Sequence, residues 1–160
     1  MDASFAGDDH YRRGLEALRE ERHHDALEHF RAAHRLDPTS PGYRSFYGVA
    51  LGLAERRFDK ALELCRSAAK EEFFNPLLYH NLARVHLAFG FKAEAIRYLR
   101  RGLMIDPGNA EIATELRLMG VRRQPVLGFL RRGHVLNRWL GALRKEPEAA
   151  DPALLEAFPM

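Results

Sequence analysis

Three consecutive segments of this chain, residues 7–40, 41–75 and 76–109, carry small side chains at the same offsets. A period near 34 residues in which small positions alternate with bulky ones is typical of stacked helix pairs. Two helices pack closely only where one of them presents glycine or alanine. The period therefore predicts an all-α array. The recurring small residues are Gly14, Gly48 and Ala83 in the first helix of each segment and Ala26, Ala61 and Ala95 in the second.

Polar residues that favour a helix start recur at one phase of this repeat. Ser40, Asn75 and Asn109 each precede a helical pattern, and proline follows the first two. Such side chains accept a hydrogen bond from a free backbone N–H of the first turn, and proline suits the first helical position. With the apolar periodicity, these caps predict three helix pairs and half of a fourth. The predicted helices span residues 8–21, 24–36, 41–55, 58–72, 76–89, 92–105 and 110–119.

The middle segment contains one residue more than the others. The offset from the small residue of its first helix to the alanine of its second is 13 residues, whereas the flanking segments have 12. We place the additional residue in the turn between Gly52 and Arg57, because turns tolerate insertions better than helices do.

The order of residue types resembles the tetratricopeptide repeat. That family has the pattern W-x2-L-G-x2-Y in the first helix, A-x3-F in the second and a later proline. The third segment offers Tyr79, Leu82 and Ala83 at matching positions, and the first offers Ala26 and Phe30. The resemblance implies a right-handed superhelical solenoid of antiparallel helix pairs. The departures are His10 for the first aromatic, Cys65 for the phenylalanine and Phe73 for the proline.

In the resembled family, the first helix of each pair lines a concave groove that holds a peptide or helix of a partner protein. The resemblance therefore implies an adaptor or scaffold without catalytic activity. Helical phase indicates which side chains would face the groove, although each could instead be buried between adjacent helices. The predicted groove residues are Tyr11, Leu15, Leu18, Ser45, Val49, Gly52, Leu77, His80, Arg84, Leu87, Glu111, Thr114 and Leu118.

One subclass of the family clamps the C-terminal carboxylate of a chaperone tail with lysines and asparagines. The corresponding positions here hold Tyr11, Leu15, Ser45 and Phe46, none of which offers a positive charge. We therefore expect an apolar ligand, such as an amphipathic helix or an extended hydrophobic segment.

The formal net charge of +3 is unevenly distributed along the chain. Residues 116–145 contain eight Lys and Arg and no acidic residue, whereas residues 146–160 contain four acidic residues and no basic one. The basic segment could attach the protein to nucleic acid or to an anionic membrane. It could equally be a solvated face or pair with nearby carboxylates. Its basic residues are Arg117, Arg122, Arg123, Arg131, Arg132, Arg138, Arg144 and Lys145.

We divide the chain into a flexible N-terminus (1–6), a repeat array (7–119), a basic capping segment (120–145) and an acidic flexible tail (146–160). The capping segment has the pattern of an amphipathic helix near residues 134–145. Its apolar side chains could cover the last helix pair, which would otherwise expose an apolar face. They could also lie in the groove as a tethered ligand, as could Leu154, Leu155 and Phe158 of the tail. The apolar side chains of the helix are Val135, Leu136, Trp139, Leu140 and Leu143.

The remaining patterns argue against catalysis and against cofactors or metals. The chain has no glycine-rich phosphate loop, nucleophile elbow or paired catalytic carboxylates at a recognisable spacing. Five histidines lie near one another in sequence without the fixed spacing of a zinc site, so we interpret them as an incidental surface cluster. These histidines are His10, His23, His24, His29 and His34.

We expect a protein or peptide partner and no small-molecule substrate. The single cysteine, Cys65, cannot form an internal disulfide, and we interpret it as a core residue. No apolar run approaches the roughly 18 residues of a membrane span, and the N-terminus lacks the features of a signal peptide. These observations predict a cytoplasmic protein. A chaperone for a secreted partner is a further alternative that the length permits.

Overall fold

The fold of this chain was analysed in a computed structural model, which describes residues 3–119. Every secondary-structure element of that range is an α-helix. The predicted capping segment and the acidic tail lie outside the described residues. The helices are α1 (Ala3–Arg19), α2 (His23–Leu36), α3 (Pro41–Ala54), α4 (Phe58–Glu71), α5 (Pro76–Ala88), α6 (Lys92–Ile105) and α7 (Ala110–Leu118).

The helices stack as antiparallel pairs. Within the described residues, α1 packs on α2, α3 on α4 and α5 on α6, and three-residue turns join the members of each pair. Neighbouring pairs meet through α2 and α3 and through α4 and α5, while α3 also contacts α5 directly. The first half of a fourth pair, α7, rests on α6. This arrangement confirms the predicted all-α solenoid.

Small residues occur where the two helices of a pair approach most closely. A Cβ atom at Gly14 would lie 2.7 Å from the ring of Phe30, and one at Gly48 would lie 2.8 Å from the backbone oxygen of Ala61. Ala26, Ala61 and Ala95 are completely buried. Larger side chains at these positions would separate the helices, so the repeat of small residues is a requirement of the packing.

The three predicted helix caps form in the structure. Ser40, Asn75 and Asn109 precede α3, α5 and α7, and the side chain of each accepts a hydrogen bond from a backbone N–H of the first turn. Pro41 and Pro76 occupy the first helical positions. Since helices leave their first N–H groups without internal partners, these caps fix where α3, α5 and α7 begin.

The turns within the pairs are alike. Each has three residues, and its middle residue has a positive φ: 57° at Glu21, 56° at Arg56 and 80° at Gly90. The prediction of a longer turn in the middle pair is therefore wrong. Instead α3 continues to Ala54, six residues beyond Gly48, whereas the other two helices end five residues beyond their small residue.

Helix α1 begins at Ala3, earlier than the predicted start at residue 8. Residues 3–6, which the sequence analysis placed in a flexible N-terminus, are therefore helical. The beginning of α1 packs against the next pair: the hydroxyl of Tyr43 donates a hydrogen bond to Asp8, and a Cβ at Gly7 would lie 3.2 Å from the ring of Tyr43. Tyr43 lies 35 residues beyond Asp8 in the chain, so the helical phase of α1 alone could not indicate this contact.

Cys65 is a core residue, as predicted. Its side chain is completely buried, and its thiol donates a 3.2 Å hydrogen bond to the backbone oxygen of Ser45. Burial raises the pKa of this thiol to about 12. The thiolate is the reactive form of cysteine, so Cys65 is chemically inert at neutral pH.

Candidate functional site

A concave cavity of about 570 Å³ runs along the first helices of the pairs. We call this cavity the groove. Helices α1, α3, α5 and α7 line it together with the turn after α1 and the first residue of α2, and most of the lining side chains are apolar. The lining residues are Tyr11, Leu15, Leu18, Arg19, Glu21, His23, Phe46, Val49, Leu53, Leu77, Arg84, Leu87, Ala88, Glu111 and Glu115.

The structure brings eight of the predicted groove residues to this lining. The predicted residues that do not line it fall into two groups: Ser45, Gly52 and His80 are buried, and Thr114 and Leu118 are exposed outside it. The eight that line the groove are Tyr11, Leu15, Leu18, Val49, Leu77, Arg84, Leu87 and Glu111.

Ser45 points into the interface between helix pairs. It has no exposed surface, and its hydroxyl accepts a 3.1 Å hydrogen bond from the side-chain amide of Asn81, which is also completely buried. The neighbouring residue, Phe46, lines the groove instead. Successive residues of a helix point about 100° apart, so a phase error of one residue exchanges these two positions.

His80 lies beneath α7. Only 2% of its surface is exposed, its Nε2 is hydrogen-bonded to the carboxylate of Glu115, and its Nδ1 lies 4.0 Å from Oε1 of Glu111. Arg84 donates a 2.7 Å hydrogen bond to that same Glu111 oxygen. These contacts attach α7 to α5 and form the polar wall of the groove.

Glu115 is a groove residue that the sequence analysis missed. Partial burial favours the protonated acid, but the hydrogen bond and charge of His80 and the smaller effect of the Arg84 charge favour the carboxylate, and the pKa of Glu115 is lowered overall. Glu115 follows Glu111 by one helical turn, so its spacing placed it on the same face. That signal could have identified it.

Partly exposed leucines and one tyrosine form the apolar floor of the groove. The ring of Tyr11 lies 5.3 Å from that of Phe46 and 5.8 Å from that of Phe30. Burial raises the pKa of Tyr11, against a smaller opposing effect of the Arg84 charge, so its hydroxyl is neutral. Leu15 and Leu18 pack on the core beneath them but keep part of their surface exposed to the groove.

The fold and the family comparison agree. Residues 52–117 match the tetratricopeptide repeat family. Residues 52–117 thus carry the repeat of this family. Within the solenoid, the residues that match run from the end of α3 to the end of α7.

The sequence is similar to that of a curated protein, the N-terminal acetyltransferase A complex auxiliary subunit NAA15 of Arabidopsis thaliana. It is 29% identical to this chain over 106 aligned positions, in an alignment that covers 61% of this chain and 12% of the relative. The chain therefore spans only a small part of that protein's length.

Solved tetratricopeptide domains have the same fold. The domain of Arabidopsis OM64 is 18% identical, with a TM-score of 0.57 over 73% of this chain and 96% of that domain. The first repeat domain of Spaghetti (RPAP3), bound to the HSP90 peptide SRMEEVD, is 20% identical, with a TM-score of 0.58 over 73% and 94%. The second domain of human RPAP3, in complex with the HSP70 peptide SGPTIEEVD, is 18% identical, with a TM-score of 0.55 over 75% and 97%.

Other predicted residues of the chain lie away from the groove. Arg117 of the basic segment donates a 3.0 Å hydrogen bond to Thr114, and the other seven basic residues lie outside the described range, as do the predicted capping residues. Nδ1 of His10 lies 3.2 Å from Nδ1 of His29. Among residues 3–119, no three potential metal ligands converge and no helix is long and apolar enough to cross a membrane.

Proposed function

We propose that this chain is a non-catalytic adaptor that binds an apolar segment of a partner protein in its groove. The observation that carries the proposal is a row of leucines that the fold leaves partly exposed along the groove: Leu15, Leu18, Leu53 and Leu87. Cytoplasmic location and the lack of catalysis stay part of this proposal.

The exposed apolar surface of these leucines gives an energetic reason for binding a ligand. Fully burying one leucine side chain contributes about 1.5–3 kcal/mol, and in these residues part of that gain is still available to a ligand. A few well-buried apolar contacts usually provide most of the affinity of an interface. An amphipathic helix or an extended hydrophobic segment has the shape to cover such a row.

Two structurally similar tetratricopeptide domains bind peptides, which supports a peptide or protein partner for this chain. The buried Ser45 and Phe46 occupy two of the positions where a carboxylate clamp would stand, and neither offers a positive charge. An apolar ligand fits this groove better than a C-terminal carboxylate.

The test is affinity purification from the native cell with the full chain and three variants. Leu15→Gln and Leu87→Gln change partly exposed side chains of the groove, whereas Met104→Gln changes an exposed side chain of α6 that does not line it. We expect both groove variants to lose the partner and the α6 variant to retain it. Recovery of the same partner by all three variants would refute the proposal. Circular dichroism verifies that each variant is folded.

A second candidate function is attachment to nucleic acid or an anionic membrane through residues 116–145. The observation that favours it is the complete separation of charge, with eight basic residues and no acidic one in this segment. Replacing Arg122, Arg123, Arg131 and Arg132 by Gln in the full chain should abolish polyanion binding that falls steeply with salt. Binding that is weak in the wild type, or unchanged in the variant, would exclude this candidate.

A further inference from the structure

The charges of the groove are arranged asymmetrically. Helix α7 contributes only two residues to the lining, and both are carboxylates, Glu111 and Glu115. Helices α1, α3 and α5 contribute a mostly apolar lining. A ligand in the groove would therefore meet an apolar floor and, on one side, an acidic wall.

Among the residues that line the groove, only Arg84 places a permanent positive charge beside the acidic wall. Arg84 pairs with Glu111 at 2.7 Å, and its guanidinium must serve both carboxylates. Glu115 is hydrogen-bonded to the buried His80, and 27% of its side chain remains exposed. Because the pKa of Glu115 is lowered, this carboxylate is ionised at neutral pH. Two carboxylates of the wall therefore face a single permanently charged guanidinium, that of Arg84.

The opposite end of the groove does not offset this charge. There the end of α1 and the following turn provide Arg19 and Glu21, one charge of each sign, and both side chains are exposed to solvent. Exposed charges are well screened and contribute little to selectivity, whereas a half-buried carboxylate is screened less. The excess negative charge is therefore concentrated at α7.

We propose that the groove selects an amphipathic segment whose apolar face contacts α1, α3 and α5 and whose polar face places a lysine or arginine against Glu111 and Glu115. This inference rests on the proposed function and names the chemistry of the partner. A basic residue would neutralise the excess charge of the wall, whereas an acidic residue would add a second repulsive carboxylate. The preferred ligand is thus opposite in charge to peptides that end in EEVD.

The experiment compares three synthetic helical peptides that share the same leucine positions and differ only in their polar residue, which is Lys, Gln or Glu. Fluorescence anisotropy measures their binding to the full chain. We expect the Lys peptide to bind about tenfold more tightly than the Glu peptide at low ionic strength. The difference should decrease as salt is added.

Variants of the full chain locate the source of this preference. Glu115→Gln removes the charge but keeps an oxygen that can accept the hydrogen bond from His80, and it should reduce the preference to about threefold or less. The matched control is Glu63→Gln, which changes an exposed carboxylate of α4 that pairs with Lys60 outside the groove and should leave the preference unchanged. Leu15→Gln should weaken all three peptides, since it changes the floor that they share.

The outcomes separate this inference from the proposed function. Equal binding of the three peptides, each weakened by Leu15→Gln, would overturn the charge preference and leave the apolar groove intact. A preference for the Glu peptide, or one that Glu115→Gln and Glu63→Gln affect equally, would overturn it as well. Failure of every peptide to bind would refute the proposed groove function and the charge preference together.

Discussion

Gly48→Ala should force α3 away from α4. A Cβ atom added to Gly48 would lie 2.8 Å from the backbone oxygen of Ala61, 2.8 Å from Sγ of Cys65 and 3.1 Å from Cβ of Leu64. Two of these atoms, the backbone oxygen of Ala61 and Cβ of Leu64, cannot turn away by a side-chain rotation. The two helices must therefore move apart, and the movement would disturb the core around the completely buried Cys65.

The expected effect follows from two opposing terms. Overpacking a well-packed interface costs about 1–3 kcal/mol, whereas replacing a glycine inside a helix by alanine contributes about 1 kcal/mol of stabilisation. The first term should exceed the second because a backbone atom is among those that clash. The difference of the two terms allows a net loss of up to about 2 kcal/mol, and with a backbone clash we expect the upper part of this range, about 1–2 kcal/mol in the free energy of unfolding.

Urea unfolding followed by circular dichroism at the helix band measures this change. With a slope of about 2 kcal/mol per molar urea, the midpoint should fall by roughly 0.5–1 M. The control is Gly42→Ala in the first turn of the same helix, where the nearest atom, Oγ of Ser40, lies at an ordinary 3.8 Å. That variant should be neutral or stabilised by up to about 1 kcal/mol. If Gly48→Ala were as stable as Gly42→Ala, the close approach of α3 and α4 would be refuted.

Three further predictions concern a cap, a turn and the effect of pH. Asn75→Ala removes the hydrogen bond to the N–H of Leu77 and should cost about 1 kcal/mol in urea unfolding. Gly90→Ala should cost about 1–2 kcal/mol from backbone strain alone, because no atom lies near its added Cβ. Burial lowers the pKa of His86 below that in the unfolded chain, so protonation of His86 favours unfolding. The free energy of unfolding should therefore keep its full value above about pH 6.5 and decrease below that pH. Urea unfolding at pH 7.5 and at pH 5.5 should show a smaller loss of stability at the lower pH in His86→Phe than in the wild type.

Each of these predictions has a result that would contradict it. An unchanged midpoint in Asn75→Ala would mean that the cap does not fix the start of α5. A neutral Gly90→Ala would mean that the turn between α5 and α6 relaxes without cost. Equal pH dependence in wild type and His86→Phe would assign the acid sensitivity to other groups, of which His29 and His34 also have a lowered pKa through burial.

The helix caps and the small residues could be predicted from the sequence because each acts on residues that lie close to it in the chain. The caps at Ser40, Asn75 and Asn109 use side chains within one turn of the helix start, so the sequence alone indicates them. The contacts of Gly14 and Gly48 join helices of one pair, which a short turn brings together. Neither case requires information from distant parts of the chain.

The candidate site was only partly predictable because it depends on contacts between pairs. His80 has the same helical phase as Leu77 and Arg84, but α7 covers it through Glu115, which lies 35 residues further along the chain. Ser45 pairs with Asn81 of the next helix pair, 36 residues away. Helical phase gives the direction of a side chain, but not which neighbouring helix covers it.

Site-specific photo-crosslinking in the native cell tests the groove directly. A benzophenone-bearing residue is introduced in separate full-length variants in place of Leu15, of Leu87 and of the exposed Met104 of α6. Binding in the groove predicts that the same partner is crosslinked from Leu15 and Leu87 and not from Met104. Crosslinking of the partner from Met104 alone, or equally from all three positions, would contradict binding in the groove.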